Sequence, residues 1–118
     1  RKKDYISMDG QAVFRFAVTA VPRCIKQILK KTQLDPTDIK YYILHQANYR
    51  IIELIAKRLH VSIDRFPMNL DNCGNTSSAS IPILLDELNH NGLLEAGDKL
   101  ILSGFGGGLT WGAVLIEW

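Results

Sequence analysis

Apolar residues return at steps of three and four between Gln11 and Lys31: Val13, Phe14, Ala17, Val18, Val21, Cys24, Ile25, Ile28 and Leu29. That spacing marks one buried helical face and predicts a helix over residues 11–31. Pro22 removes a backbone donor inside it, and because the apolar stripe runs on past the proline, a kink is expected and not a break. Asp35-Pro36-Thr37-Asp38 predicts a turn, with Pro36 presetting its own φ. Tyr41-Tyr42-Ile43-Leu44 reads as a short buried strand of aromatic and branched residues. Asn48 is an N-cap residue, and Ile51, Ile52, Leu54, Ile55, Ala56 and Leu59 predict a second helix running to about His60.

The second half of the chain is more broken. Phe66 to Leu70 reads as another short strand, with Pro67 near its start, followed by a polar loop over 71–76. A helix is expected from about Ser77 to Asn89, with Pro82 near the first turn, where proline is tolerated, and Asn91-Gly92 as a left-handed C-cap. Glu95-Ala96-Gly97-Asp98 predicts a turn. Lys99–Ser103 and Leu109–Glu117 read as the last two strands, paired antiparallel through a glycine run. The order helix, strand, helix, strand, helix, strand, strand predicts an α/β layer with a mainly parallel, mixed sheet covered by helices.

Composition narrows the class. The 118 residues make one domain by length, and 47% hydrophobic residues supply a modest core. No apolar run reaches the eighteen or so residues of a membrane helix. The basic start, Arg-Lys-Lys-Asp-Tyr, is not followed by the apolar core of a secretory signal. Cys24 and Cys73 show no framework spacing, so two reduced thiols and a cytoplasmic location are expected, with no membrane contact.

The net charge of +2 conceals an asymmetry: residues 1–31 carry eight Lys/Arg against Asp4 and Asp9, a balance of +6, and the remainder carries −4. A basic N-terminal third fits either an acidic partner or a solvated helix face. The chain opens on charged residues without an initiator Met and reads as a piece of a longer protein.

Three polar stretches stand at the ends of apolar runs: His45-Gln46-Ala47-Asn48, Asn72-Cys73-Gly74-Asn75-Thr76-Ser77 and Gly104-Phe105-Gly106-Gly107-Gly108. Strands deliver their last residues to one edge of a sheet, so three such ends can converge. Taken singly, each has a plain reading: His45 as a core histidine satisfied by a neighbour, Asn75 as a turn residue, Asn48 as a helix cap. The glycine run fails the dinucleotide fingerprint, because Leu109 stands where the third glycine belongs and a strand-like segment follows. It either forms a plain hairpin or lets main-chain N–H groups approach a substrate oxygen.

Together, HQAN, GNTSSASIP and GFGGGLTWGAVLIEW resemble the C-terminal half of the β-ketoacyl-acyl carrier protein synthase III family, from about Gly10 to Trp118. The resemblance implies one half of a thiolase-like fold over residues 10–118, with 1–9 a residual linker from a missing N-terminal half. It implies a condensing acyltransferase that starts fatty acid synthesis, joining acetyl-CoA or another acyl-CoA with malonyl-carrier protein and releasing carbon dioxide. His45 and Asn75 would donate hydrogen bonds to the malonyl thioester carbonyl, Gly107 would supply an oxyanion-hole N–H, and Asn48 and Phe105 would support them. Arg15, Arg50, Lys57 and Arg58 would hold carrier protein or coenzyme A phosphates, whereas Lys26, Lys30 and Lys31 read as solvated charges.

The family's nucleophilic cysteine lies in the missing half. Cys24 reads as packing, and Cys73, though near Asn75, is not expected to replace that nucleophile. The chain alone is therefore expected to be inactive, and its exposed apolar face to drive self-association. The full-length enzyme is expected to be a homodimer, with no cofactor, no metal and no nucleic acid. A secondary-metabolite paralogue and a non-catalytic carrier- or CoA-binding module are the alternatives.

Overall fold

The computed structural model describes residues 10–46, 48–69, 79–106 and 109–118. The first element, α1 (Gly10–Thr32), passes through the buried Pro22 without a break and buries Ala17, Val18, Val21, Ile25 and Leu29. A 3-10 turn at Pro36–Asp38 leads into β1 (Tyr41–Leu44). The second helix, α2 (Tyr49–Leu59), starts at Asn48, whose side chain accepts the Ile51 N–H, and ends at His60 in the left-handed conformation. Helix α3 (Ser80–His90) carries Pro82 as its third residue, where the N–H that proline lacks has no intrahelical acceptor. Gly92, at φ +73°, closes α3, and Leu93 N–H reaches back to Leu88 O at 3.0 Å. Strands β2 (Lys99–Gly106) and β3 (Thr110–Glu117) complete the chain.

The strands lie in the order β1-β2-β3. β1 pairs with β2 in parallel, from Tyr41 opposite Leu100 to Leu44 opposite Ser103. β2 and β3 form an antiparallel hairpin, from Lys99 opposite Glu117 to Gly106 opposite Thr110. Strand alternation sorts the side chains into two cores. Tyr42, Leu44, Ile101, Phe105 and Leu115 face α1 and α2. Tyr41, Ile43, Leu100, Leu102 and Ile116 face α3. The result is three layers, with helices on both faces of a mixed sheet.

At the far end from the candidate chemistry, Lys40 Nζ pairs with Asp98 Oδ2 at 3.0 Å. Asp98 also accepts the Glu95 N–H at 2.8 Å. The Glu95 N–H and then Lys40 hold its carboxyl below the ordinary value.

One expected element is absent. Residues 66–69 form no strand; a 3-10 turn occupies Ile63–Arg65 and the segment after it is irregular. Leu70 lies outside the described residues. Phe66 is buried for a different reason: its ring stacks on Tyr42, with centroids 4.8 Å apart and planes 12° from parallel. Pro67 has no N–H to give a ladder, and the Asn69 N–H goes to the side chain of Gln46.

Candidate active site

His45 is the first residue beyond β1, and its backbone remains in the ladder, donating to Ser103 O at 2.9 Å. The imidazole is thereby held at the end of the parallel strand pair. Its Nδ1 lies 3.0 Å from the hydroxyl oxygen of Ser80, the first residue of α3. Phe105, near the end of β2, meets the ring edge-on, with centroids 5.2 Å apart and planes at 82°. Three elements therefore fix one half-buried ring. On the same end of the hairpin, Gly104, Phe105, Gly106, Thr110 and Trp111 line an open cavity of about 340 Å³.

Next to the histidine, Gln46 is fully buried. Its Nε2 donates to Leu44 O at 2.7 Å and its Oε1 accepts the Asn69 N–H at 3.3 Å. Asn69, itself buried, donates from Nδ2 to Glu87 Oε1 at 2.9 Å, which ties the segment to α3. The Gln46 N–H in turn donates to the Ser80 hydroxyl at 3.3 Å. Neither Gln46 nor Ser80 stands out in the sequence as a site residue. Gln46 stood inside the HQAN stretch and was legible as part of it. Ser80 sat in a run of small residues that explained itself as a helix start, and nothing local announces a partner thirty-five positions away.

The other expected residues divide three ways. Asn48 acts as the cap of α2, its Oδ1 accepting the Ile51 N–H at 2.9 Å. Asn75, Gly107 and Cys73 lie outside the described residues. Cys24 is a half-buried free thiol on α1.

Of the basic residues, Arg15, Arg50, Lys57 and Arg58 are all exposed. Arg50 packs its guanidinium 5.8 Å from the Phe14 ring centre, joining the first turns of α1 and α2. Glu53 and Lys57 stand four residues apart on α2 but form no ion pair; among the described residues the ion pair is Lys40–Asp98. At the other end of the α1–α2 seam, Arg23, Lys26, Lys30 and Arg58 surround a groove of about 420 Å³, with Thr19, Pro22 and Gln27 completing its lining. Lys26 and Lys30, expected to be solvated helix charges, are exposed and also line one basic concavity with Arg58.

The model of the 3-oxoacyl-[acyl-carrier-protein (ACP)] synthase III C-terminal family matches residues 29–118. A β-ketoacyl-[acyl-carrier-protein] synthase III of Clostridium botulinum strain Hall is 56% identical over 117 residues, which is 99% of this chain and 36% of the relative. Among solved structures, the synthase III of Thermus thermophilus superposes with a TM-score of 0.94 at 40% identity, over 98% of this chain and 36% of that one. The priming β-ketosynthase of the R1128 polyketide pathway superposes with a TM-score of 0.84 at 36% identity, over 94% of this chain and 34% of that one. The chain thus spans about a third of the length of these relatives.

Proposed function

The chain belongs to the 3-oxoacyl-[acyl-carrier-protein] synthase III family, to its C-terminal part, and on that footing we propose that it supplies the decarboxylation half of a condensing acyltransferase's active site. In this reading residues 10–118 are the C-terminal thiolase-like domain and residues 1–9 a linker from the N-terminal half. A cysteine thiolate of that half takes an acyl group, acetyl or another, from coenzyme A, whose thiol leaves. Malonyl-carrier protein then binds, and the bond between its methylene carbon and its carboxylate breaks. Carbon dioxide departs, and the electron pair passes through the methylene carbon onto the thioester oxygen as an enolate.

His45 and Asn75 donate hydrogen bonds to that oxygen. Fixed donors stabilise the enolate more than the neutral carbonyl, which is the condition for lowering the barrier. The enolate carbon attacks the acyl-cysteine carbonyl, whose developing oxyanion takes the Gly107 N–H. Collapse of that intermediate expels the cysteine thiolate and leaves the β-ketoacyl group on the carrier.

The observation that carries this reading is the clamping of His45 by β1, Ser80 and Phe105 beside an open cavity. A flexible donor would spend free energy on ordering at the transition state, and this ring is ordered beforehand. The partner is an acidic carrier protein, met by Arg15, Arg50, Lys57 and Arg58 and by the groove of Arg23, Lys26 and Lys30. In this reading the enzyme acts in the cytoplasm. It acts as a homodimer, and the exposed Trp111, Val114 and Leu109 are surfaces for the N-terminal half or the second copy to cover.

The test is decarboxylation of malonyl-carrier protein by the full-length enzyme. His45→Ala and Asn75→Ala are each expected to slow it by roughly 10²–10³, with acyl transfer from acyl-CoA to the enzyme retained. Wild-type decarboxylation in His45→Ala would sink the assignment. The likeness to the polyketide priming synthase favours one second reading, priming in secondary metabolism. A preference for a polyketide pathway's carrier over that of fatty acid synthesis would select it.

A further inference from the structure

The hydroxyl of Ser80 has one hydrogen and two acceptor lone pairs. One lone pair takes the Gln46 N–H at 3.3 Å. Ser80 is only 1% exposed, so its own hydrogen has to find an acceptor inside the protein, and leaving it without one would cost about 1–3 kcal/mol. The imidazole Nδ1 lies 3.0 Å away. The geometry points to Ser80 as the positioning residue that fixes the tautomer of His45: its Oγ–H donates to Nδ1, so Nδ1 carries the lone pair and Nε2 carries the hydrogen.

The opposite arrangement places two donors, Gln46 N–H and Nδ1–H, on one hydroxyl oxygen and leaves the hydroxyl hydrogen to be placed elsewhere. It also puts a lone pair on Nε2, which turns that atom into an acceptor. An acceptor repels the oxygen of a forming enolate. The tautomer set by Ser80 makes Nε2 the donor that the proposed decarboxylation requires.

Each part of the device is held. Ser80 is the first residue of α3, so the helix fixes its backbone, and the Gln46 N–H at 3.3 Å holds its hydroxyl oxygen. His45 is anchored through its own N–H to Ser103 O, and Gln46 through both ends of its amide. Phe105 stands edge-on to the ring and restricts its rotation. The catalytic meaning of the tautomer rests on the function proposed above, whereas the tautomer itself rests on the hydrogen-bond geometry alone.

The experiment uses the full-length enzyme labelled with ¹⁵N-histidine, with the His45 resonances assigned by their loss in His45→Ala. The imidazole ¹⁵N shifts at fixed pH report which nitrogen carries the hydrogen. The wild type is expected to show the Nε2–H tautomer, Ser80→Ala a mixture of both, and Ser80→Thr, which keeps the hydroxyl, the wild-type pattern. In parallel, Ser80→Ala is expected to slow malonyl-carrier decarboxylation about tenfold, leave acyl transfer from acyl-CoA within about twofold, and regain decarboxylation as Ser80→Thr.

A wild-type His45 on the Nδ1–H tautomer overturns the inference, as does a Ser80→Ala enzyme that keeps Nε2–H with full decarboxylation. If Ser80→Ala also loses acyl transfer, the wild-type and Ser80→Thr spectra decide the matter. If His45→Ala decarboxylates normally, the functional reading fails while the spectra still judge the role of Ser80.

Discussion

The side-chain oxygen of Gln46 accepts the backbone N–H of Asn69 at 3.3 Å, joining the exit of β1 to the irregular segment that precedes α3. Through the same amide, Nε2 satisfies Leu44 O at 2.7 Å. One buried side chain thus replaces the ladder that a strand over residues 66–70 would have made.

Gln46→Leu keeps the volume and removes both bonds. It leaves Leu44 O and Asn69 N–H buried and unpaired, at about 1–3 kcal/mol for each group. The variant of the full-length enzyme is expected to unfold at lower denaturant. Because Gln46 adjoins His45, its decarboxylation rate is also expected to fall more than its acyl transfer. An unchanged midpoint in chemical denaturation would show that these groups find other partners.

The basic groove gives a prediction about recognition. From Arg50 to Arg58, α2 climbs about 12 Å, and the paired face of α1 carries Arg23, Lys26 and Lys30 beside Arg58. A protein partner with an acidic helix spans that distance, whereas a small thioester does not. Lys26→Glu with Lys30→Glu is expected to raise KM for malonyl-carrier protein about tenfold, roughly 1.4 kcal/mol, and to leave turnover of malonyl-pantetheine unchanged. The wild-type KM for the carrier is expected to rise with salt more steeply than the variant's, because screening removes what the substitution has already removed. Equal loss with both substrates would place the lysines in folding and not in docking.

Tyr42 gives a pH signature. Burial comes first among the causes that push its hydroxyl up to about 12, against an ordinary 10.0. The neutral phenol donates to Pro36 O at 2.6 Å while its ring stacks on Phe66. The folded value lies above the unfolded one, so this contribution is complete below pH 10 and is lost as pH rises from about 10 to 12, by an amount on the order of 2 kcal/mol. Tyr42→Phe is expected to be less stable near neutrality by about 1 kcal/mol and to lose less between pH 10 and 12. Denaturant midpoints of the two proteins that stay parallel across that range would refute the assignment.

Much of the fold was legible where one periodicity acted alone. The apolar stripe of α1 is long enough to carry Pro22, and β1 and the final hairpin are short apolar runs between turn residues. The reading failed at Phe66, where a single aromatic anchor stacked on Tyr42 mimics the start of a strand. The site was legible to the same depth. His45 stands out by its stretch and its place after an apolar run, and its expected role comes from the resemblance carried by that stretch. Ser80 does not, because a helix start explains its serine fully and its second role exists only after two distant segments meet. Lys26 and Lys30 likewise gain meaning only from Arg58, on another helix.

The parallel register of β1 and β2 has a consequence for biosynthesis. Tyr41–Leu44 is matched to Leu100–Ser103, so the strand that anchors His45 has no neighbour on that side until Leu100–Ser103 has also left the ribosome. Parallel pairing over so long a separation closes a large loop before any contact rewards it, which makes it a slow step. The helices α1 and α2 can form earlier from local contacts, with the histidine waiting at a loose end between them and the rest. A nascent chain therefore presents the basic residues of α1 and α2 well before it can orient its imidazole.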